Sequence, residues 1–178
     1  MTAARKKPFC ARRTCWSGFS ATSSWRTENR REGLCMREIK PIPLSHIDEA
    51  ASIEAACLGS AWSAEQLADS VGRPDFCYIG AFEDGILTAV CSYYLVAGEV
   101  QIVNLAVLPA YRRRGAGRAL LNAVRADART RGCGRILLEY EKGNRAAEAL
   151  YFSEGFRTVG ERRGFYHGTD AVLADLEI

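Results

Sequence analysis

The sequence of 178 residues is poor in the groups that build metal centres. It has two histidines, His46 and His167, and seven cysteines, at 10, 15, 35, 57, 77, 91 and 133, with no C-x-x-C among them. Zinc takes closely spaced Cys and His ligands, so no metal site is expected. The thiols at 57, 77, 91 and 133 lie among apolar residues and read as reduced core groups, which suits a reducing cytosol better than a disulfide framework. No run of eighteen uncharged apolar residues occurs, so no segment can span a bilayer as a helix, and a soluble, cytoplasmic protein without membrane contact is expected. Neither G-x-x-x-x-G-K-[ST] nor a G-x-G-x-x-G with its acidic residue downstream is present, which disfavours a nucleotide triphosphatase and a dinucleotide dehydrogenase.

What is present divides at Met36. Residues 1–35 carry eight Lys/Arg against Glu28 and Glu32, whereas the remainder has sixteen basic and nineteen acidic residues, so the formal net charge of +3 splits into +6 and −3. Direct nucleic-acid binding is therefore not expected of the folded part. The first segment has no apolar periodicity and lacks the apolar centre of a secretory signal. It reads as a basic disordered extension, an organelle-targeting segment, or sequence upstream of a start at Met36. Residues 36–178 form one domain.

Within that domain REIKPIP reads as a short strand. LSHIDEAASIEAACL reads as a helix, with Ser45 as N-cap and Ile47, Ala50, Ala51, Ile53 and Ala56 on its apolar stripe. Ser63 and Gln66 make a capping box for a second helix with Leu67 and Val71 inward, ended by Gly72 and Pro74. FCYIGAFED and GILTAVCSYYLVAG are β-rich runs joined at Asp84-Gly85, the dipeptide of a type I′ hairpin. EVQIVNLAVLP is a further strand. After it, a helix buries Leu120, Leu121, Val124 and Ala128, turns Arg118, Arg125 and Arg129 outward, and stops at Gly132. RILLEYE is a strand, NRAAEALYFSE a helix from Asn144 to Gly155, and two strands close the chain, separated by Gly164 and a turn at Gly168. The order β-α-α-β-β-β-α-β-α-β-β predicts an α/β (α+β) fold, a mixed sheet flanked by helices.

One stretch of this order concentrates charge where a helix begins: AYRRRGAGR, residues 110–118. A strand, a glycine turn and a helix N-terminus leave backbone N–H groups unpaired at the positive end of the helix dipole, an arrangement that fits phosphate oxygens. Gly115 and Gly117 permit close backbone approach and positive φ, and Arg112, Arg113, Arg114 and Arg118 add charge-assisted donors. Cations at that end of a helix oppose its dipole by a few tenths of a kcal/mol each when exposed, unless an anion sits there. A solvated basic turn is the plainer alternative.

R-x-x-G-x-G, here Arg112 to Gly117, resembles the acetyl-CoA pyrophosphate loop of the GNAT acyltransferases, and NLAVLPAYRRRGAGRALL resembles the strand-loop-helix around it. The likeness covers residues 36–178. Within the family, AWSAEQL and LLEYEKGNRAAEALYFSEGF resemble motifs of the RimI branch, the ribosomal-protein-alanine N-acetyltransferases, with Ala61 where that branch has proline. The resemblance implies a GNAT fold with a mostly antiparallel sheet and acetyl-CoA as co-substrate. Cofactor contacts are then implied at Leu105, Ala106 and Val107 through strand backbone, at Arg112, Arg113, Arg114, Gly115, Ala116, Gly117 and Arg118, and at Asn144, which as an N-cap has an equally simple structural role. It implies catalytic roles for Glu139 and Tyr151, and acceptor contacts at Trp62 and Tyr166. His167 departs from the family's more usual proline.

The implied reaction is direct acetyl transfer to a protein N-terminus, the alanine of a small-subunit ribosomal protein in the leading case. An α-amino group titrates at roughly 7.7 to 8.0, so a base is useful near neutrality. Glu139 lies mid-strand on the side opposite Ile136, Leu138 and Tyr140. The departing thiolate needs a proton, which the Tyr151 hydroxyl can supply. Two alternatives share the cofactor: an acetyltransferase for a lysine or a small amine, and a non-catalytic acetyl-CoA-binding module.

Overall fold

The computed structural model describes residues 25–26, 36–59 and 61–178. The expectation of a disordered extension over residues 1–35 lies outside the described residues, except for the backbone of β1 (Trp25–Arg26), which pairs antiparallel with β2 (Arg37–Pro41). There follow α1 (Ile47–Cys57), α2 (Ala64–Val71), β3 (Phe76–Glu83), β4 (Ile86–Val96), β5 (Glu99–Val107), α3 (Ala116–Thr130), β6 (Arg135–Glu141), α4 (Arg145–Ser153), β7 (Arg157–Tyr166) and β8 (Thr169–Glu177). From β2 onward this is the order expected from sequence. The strands form one sheet in the order β1-β2-β3-β4-β5-β6-β8-β7, antiparallel except for the parallel pair β5 and β6, whose crossover is α3.

Local chemistry sets the joints. Asp84 and Gly85 both take positive φ (50° and 84°), as a type I′ turn requires, and join Glu83 to Ile86 across the β3–β4 hairpin. Ser63 Oγ accepts from Gln66 N at 3.2 Å while Gln66 Oε1 accepts from Ser63 N at 2.9 Å, closing the capping box of α2. Gly155, at φ 91°, ends α4 and lets Phe156 N reach Tyr151 O at 3.0 Å, folding the Phe156 ring onto Tyr151. Ser45 departs from expectation. It lies inside a single 3-10 turn, Leu44–His46, led in by Pro43, so α1 starts at Ile47 without a side-chain cap.

The sheet is covered on both faces. α3 and α4 bury Leu120, Leu121, Val124, Ala128 and Tyr151 against Ile79, Cys91, Val100, Ile136 and Leu138, whereas α1 and α2 bury Ile47, Ala50, Ile53 and Leu67 against Phe76, Tyr78, Val90 and Ala106. β3 is consequently buried along its whole length. Cys57, Cys91 and Cys133 carry free thiols, but Cys77 is disulfide-bonded, a pairing that an irregular cysteine spacing cannot reveal. No helix among the described residues is long and apolar enough to cross a membrane, and none of their His, Cys, Asp and Glu side chains cluster in a metal-binding group.

The sheet parts in the middle. β5 and β6 pair from Glu99↔Arg135 to Ile102↔Leu138 and no further. β5 nevertheless stays on β4 to Val107, and β6 stays on β8 to Glu141. A register shift between Ser92 and Tyr93 leaves Val103 without a partner on β4, and such a bulge bends and twists its strand. The edges of residues 103–107 and 139–141 thus face a gap.

Candidate active site

A cavity of about 470 Å³ opens where the strands part, lined on one side by Trp62, Ile102, Val103 and Asn104 and on the other by Leu138, Glu139, Arg162, Phe165 and Tyr166. Glu139 alternates with the buried Leu138 and Tyr140, so its carboxylate lies on the α1/α2 face, where Arg162 Nη2 meets Oε1 at 3.1 Å. Tyr166 donates its hydroxyl toward the Glu139 carbonyl at 3.5 Å, and burial first, then Glu139 and Glu141, pushes its phenol above the usual range. Trp62 stacks on Phe76, with centroids 5.7 Å apart, and stands as the wall opposite β6. Phe165 meets Tyr166 edge-on and carries Arg162 over its ring at 4.7 Å. His167, at φ 47°, turns the β7–β8 hairpin together with Gly168.

Tyr151 belongs to the other face. It is buried between Tyr140 and Phe156, with ring centroids 5.6 and 5.7 Å away. Burial holds the phenol well above its ordinary pKa, so it remains protonated across the physiological range. Glu139 and Tyr151 therefore lie on opposite faces of the sheet at β6, and of the two it is Glu139 that lines the cavity.

The Arg/Gly turn sits at the head of that gap. Gly115 caps α3 at φ 84° with no side-chain acceptor on the helix, and the first intrahelical bond is Ala119 N to Gly115 O at 3.0 Å. The N–H groups of residues 115–118 are left without intrahelical partners. Gly115 is open, whereas Gly117 is buried: a Cβ there would come 3.0 Å from Leu150 Cδ2, with Leu105 and Val107 next. Its lack of a side chain lets the helix start pack against β5 and α4. The arginines divide their duties. Arg112 turns back to donate to the Val107 carbonyl at 3.0 Å, which also accepts from Cys57 Sγ, and Arg118 pairs with Glu154 at 2.5 Å. Arg114 lies over the Tyr111 ring at 5.3 Å, and Arg113, at φ 60°, has no ion-pair partner among the described residues. Leu105 and Val107 are half-buried and Ala106 buried, all with a β6-side edge free of strand pairing. Asn144 caps α4, its Oδ1 accepting from Ala147 N at 3.1 Å.

A model of the acetyltransferase (GNAT) family matches residues 47–156, which include α1 to α4, the parted strands and the Arg/Gly turn. The chain belongs to the GNAT acetyltransferase family. Its sequence is 32% identical over 135 residues to the ribosomal protein bS18-alanine N-acetyltransferase of Escherichia coli, covering 76% of this chain and 90% of that one. It is 34% identical to the N-alpha-acetyltransferase RimI of Mycobacterium tuberculosis over 62% of this chain and 72% of the relative. The crystal structure of the E. coli S18-alanine enzyme superposes with a TM-score of 0.74 over 80% of this chain and 94% of its own. The GNAT fold also matches Arabidopsis thaliana NAA60 in complex with acetyl-CoA, with a TM-score of 0.74 at 21% identity over 80% of this chain and 99% of the other.

Two residues that support the Arg/Gly turn and the cavity wall are not legible in the sequence pattern. Arg37 of β2 donates from Nη2 to the Arg114 carbonyl at 2.8 Å, pairs with the buried Glu83, and keeps Nη1 3.6 Å from the place of a Gly115 Cβ, so β2 braces the turn. Glu54 of α1 is fully buried where the apolar stripe puts Ala56, which is exposed. Nothing in their spacing separates Arg37 from the other surface arginines, or Glu54 from the solvated glutamates of α1.

Proposed function

We propose that residues 36–178 form an acetyl-CoA-dependent N-acetyltransferase of protein N-termini, acting in the cytoplasm on the N-terminal alanine of a small-subunit ribosomal protein. The observation that carries this reading is the parting of β5 from β6, which opens a cavity lined by the Glu139 carboxylate on one face of the sheet, with the protonated Tyr151 phenol packed on the other face and the N-terminus of α3 against β5. The strand edge at Leu105, Ala106 and Val107 suits the amides of a pantetheine arm, which pair as an added strand does. The free N–H groups of Gly115, Ala116, Gly117 and Arg118, with Arg113 and Arg114 beside them and Arg112 and Asn144 at the margins, suit a diphosphate. The bound thioester supplies an activated acetyl group.

The chain's own groups then manage protons and position. Trp62 and Tyr166 hold the end of the acceptor chain across the cavity. Glu139, released from Arg162, takes a proton from the α-ammonium group. The neutral nitrogen forms the new N–C bond as the C–S bond breaks, Tyr151 delivers its proton to the departing sulfur, and the extra proton then carried by the new amide nitrogen restores the phenol. The names of the E. coli and M. tuberculosis relatives support a protein N-terminus as acceptor over a lysine or a small amine.

Calorimetry with acetyl-CoA, followed by mass spectrometry of two peptides, tests the reading. One peptide has a free N-terminal alanine; the other has a blocked N-terminus and an internal lysine. Binding and acetylation of the first alone is the expected result. Acetylation of the blocked peptide transfers the assignment to lysine, and absence of binding removes it.

A further inference from the structure

We infer that Glu54 is a positioning residue for the acceptor, its buried carboxylate fixing Asn104 and the main chain of Trp62 as the α1-side wall of the cavity. This rests on the reading of that cavity as the acceptor site. Glu54 is wholly inaccessible and receives three donors: Tyr78 Oη at 2.9 Å on Oε1, and Asn104 Nδ2 at 2.8 Å and Trp62 N at 3.5 Å on Oε2. No Lys, Arg or His pairs with it among the described residues. Burial raises its pKa against the lowering effect of these bonds.

A carboxylate is a costly way to fill space in a core. Removed from water it needs every donor it can find, and an apolar residue of like volume often serves stability as well or better. Its neighbours on the stripe, Ile47, Ala50 and Ile53, are apolar. Two of its three donors belong to residues that line the cavity, Asn104 one step past the bulge on β5 and Trp62 in the segment before α2. With Nδ2 committed to Glu54, Asn104 keeps Oδ1 as its remaining polar atom, an acceptor for an N–H of the incoming chain. One buried group thereby sets the spacing between the Trp62 wall and the β5 bulge and orients the amide between them.

Steady-state kinetics with the free N-terminal alanine peptide, alongside calorimetry of acetyl-CoA, distinguishes this role from simple packing. Glu54→Leu removes all three acceptors and is expected to raise the peptide KM at least tenfold while acetyl-CoA affinity stays within twofold of the parent. Glu54→Gln rescues it to within about threefold, because the amide oxygen can take Asn104 and Trp62 while its NH2 donates to the Tyr78 hydroxyl. Asn104→Ala, which leaves α1 untouched, gives the same rise in peptide KM should the leucine variant fail to fold. An unchanged peptide KM in either variant, or a parallel loss of acetyl-CoA affinity, overturns the inference and leaves the acetyltransferase reading standing. A parent protein that binds acetyl-CoA but acetylates no amine overturns both.

Discussion

Replacing Glu139 with glutamine keeps the shape of the cavity and removes the one basic oxygen on its β6 wall, so the loss should be chemical. The Arg162 partner does not lock the carboxylate: with side chains 52% and 29% exposed, the pair is worth at most about 1 kcal/mol and yields to an arriving ammonium group. A positioned base contributes roughly 10² to 10⁴ in rate, so Glu139→Gln should lower kcat/KM at pH 7 by at least about a hundredfold, ~2.7 kcal/mol of transition-state stabilisation. At that pH roughly a tenth to a sixth of an α-amino group is already neutral, so raising the pH to 9 restores no more than about tenfold. Acetyl-CoA affinity should hold, because the α3 N-terminus lies away from the Glu139 carboxylate. Initial rates from pH 6 to 9.5, with calorimetry on the same preparation, read both quantities. Unchanged kcat/KM at pH 7, or lost acetyl-CoA affinity, would refute the role of Glu139.

Gly115→Ala should weaken acetyl-CoA binding by several-fold and cost about 1 to 2 kcal/mol of stability, because φ 84° is left-handed backbone that an L side chain resists; calorimetry and thermal melts check it, and an unaffected variant argues against a backbone anion site. Tyr78, Tyr93, Tyr140, Tyr151 and Tyr166 all have phenols raised by burial. A raised folded value contributes stability that is complete below the unfolded pKa of about 10 and is lost as pH rises above it. Phenolate absorbance should therefore climb together with unfolding above pH 10, and five phenols titrating near 10 in an intact fold would contradict their burial.

What the sequence made legible was local. The Asp84-Gly85 turn, the Ser63–Gln66 box, the Gly155 stop and the inward stripe of α3 are each decided by a few neighbouring residues, and each forms as its chemistry requires. Glu139 falls on the side opposite Leu138 because strand alternation is equally local. What stayed hidden depends on partners far along the chain. The insertion of β8 between β6 and β7, and the end of β5–β6 pairing at Ile102↔Leu138, are register choices that no window of sequence contains. Glu54 reads as one more solvated glutamate until Tyr78 and Asn104, 24 and 50 residues away, are seen to hold it.

The same distance in sequence changes how the four arginines of the turn are understood. Counted as a run, they concentrate positive charge where the α3 dipole is already positive, an opposition that an anion would relieve. In the fold, Arg118 is balanced by Glu154, whereas Arg112 gives one donor to the neutral Val107 carbonyl and keeps its charge, so a quarter of that charge is already answered by the chain. On the proposed reading, attraction for a diphosphate rests on the N–H groups of residues 115–118 that lack intrahelical partners, held by the Arg37 brace, with Arg112, Arg113 and Arg114 beside them. Affinity at this turn should thus come mainly from preformed backbone geometry, which links acetyl-CoA binding to the fit of β2 against β3 as closely as to the arginines themselves.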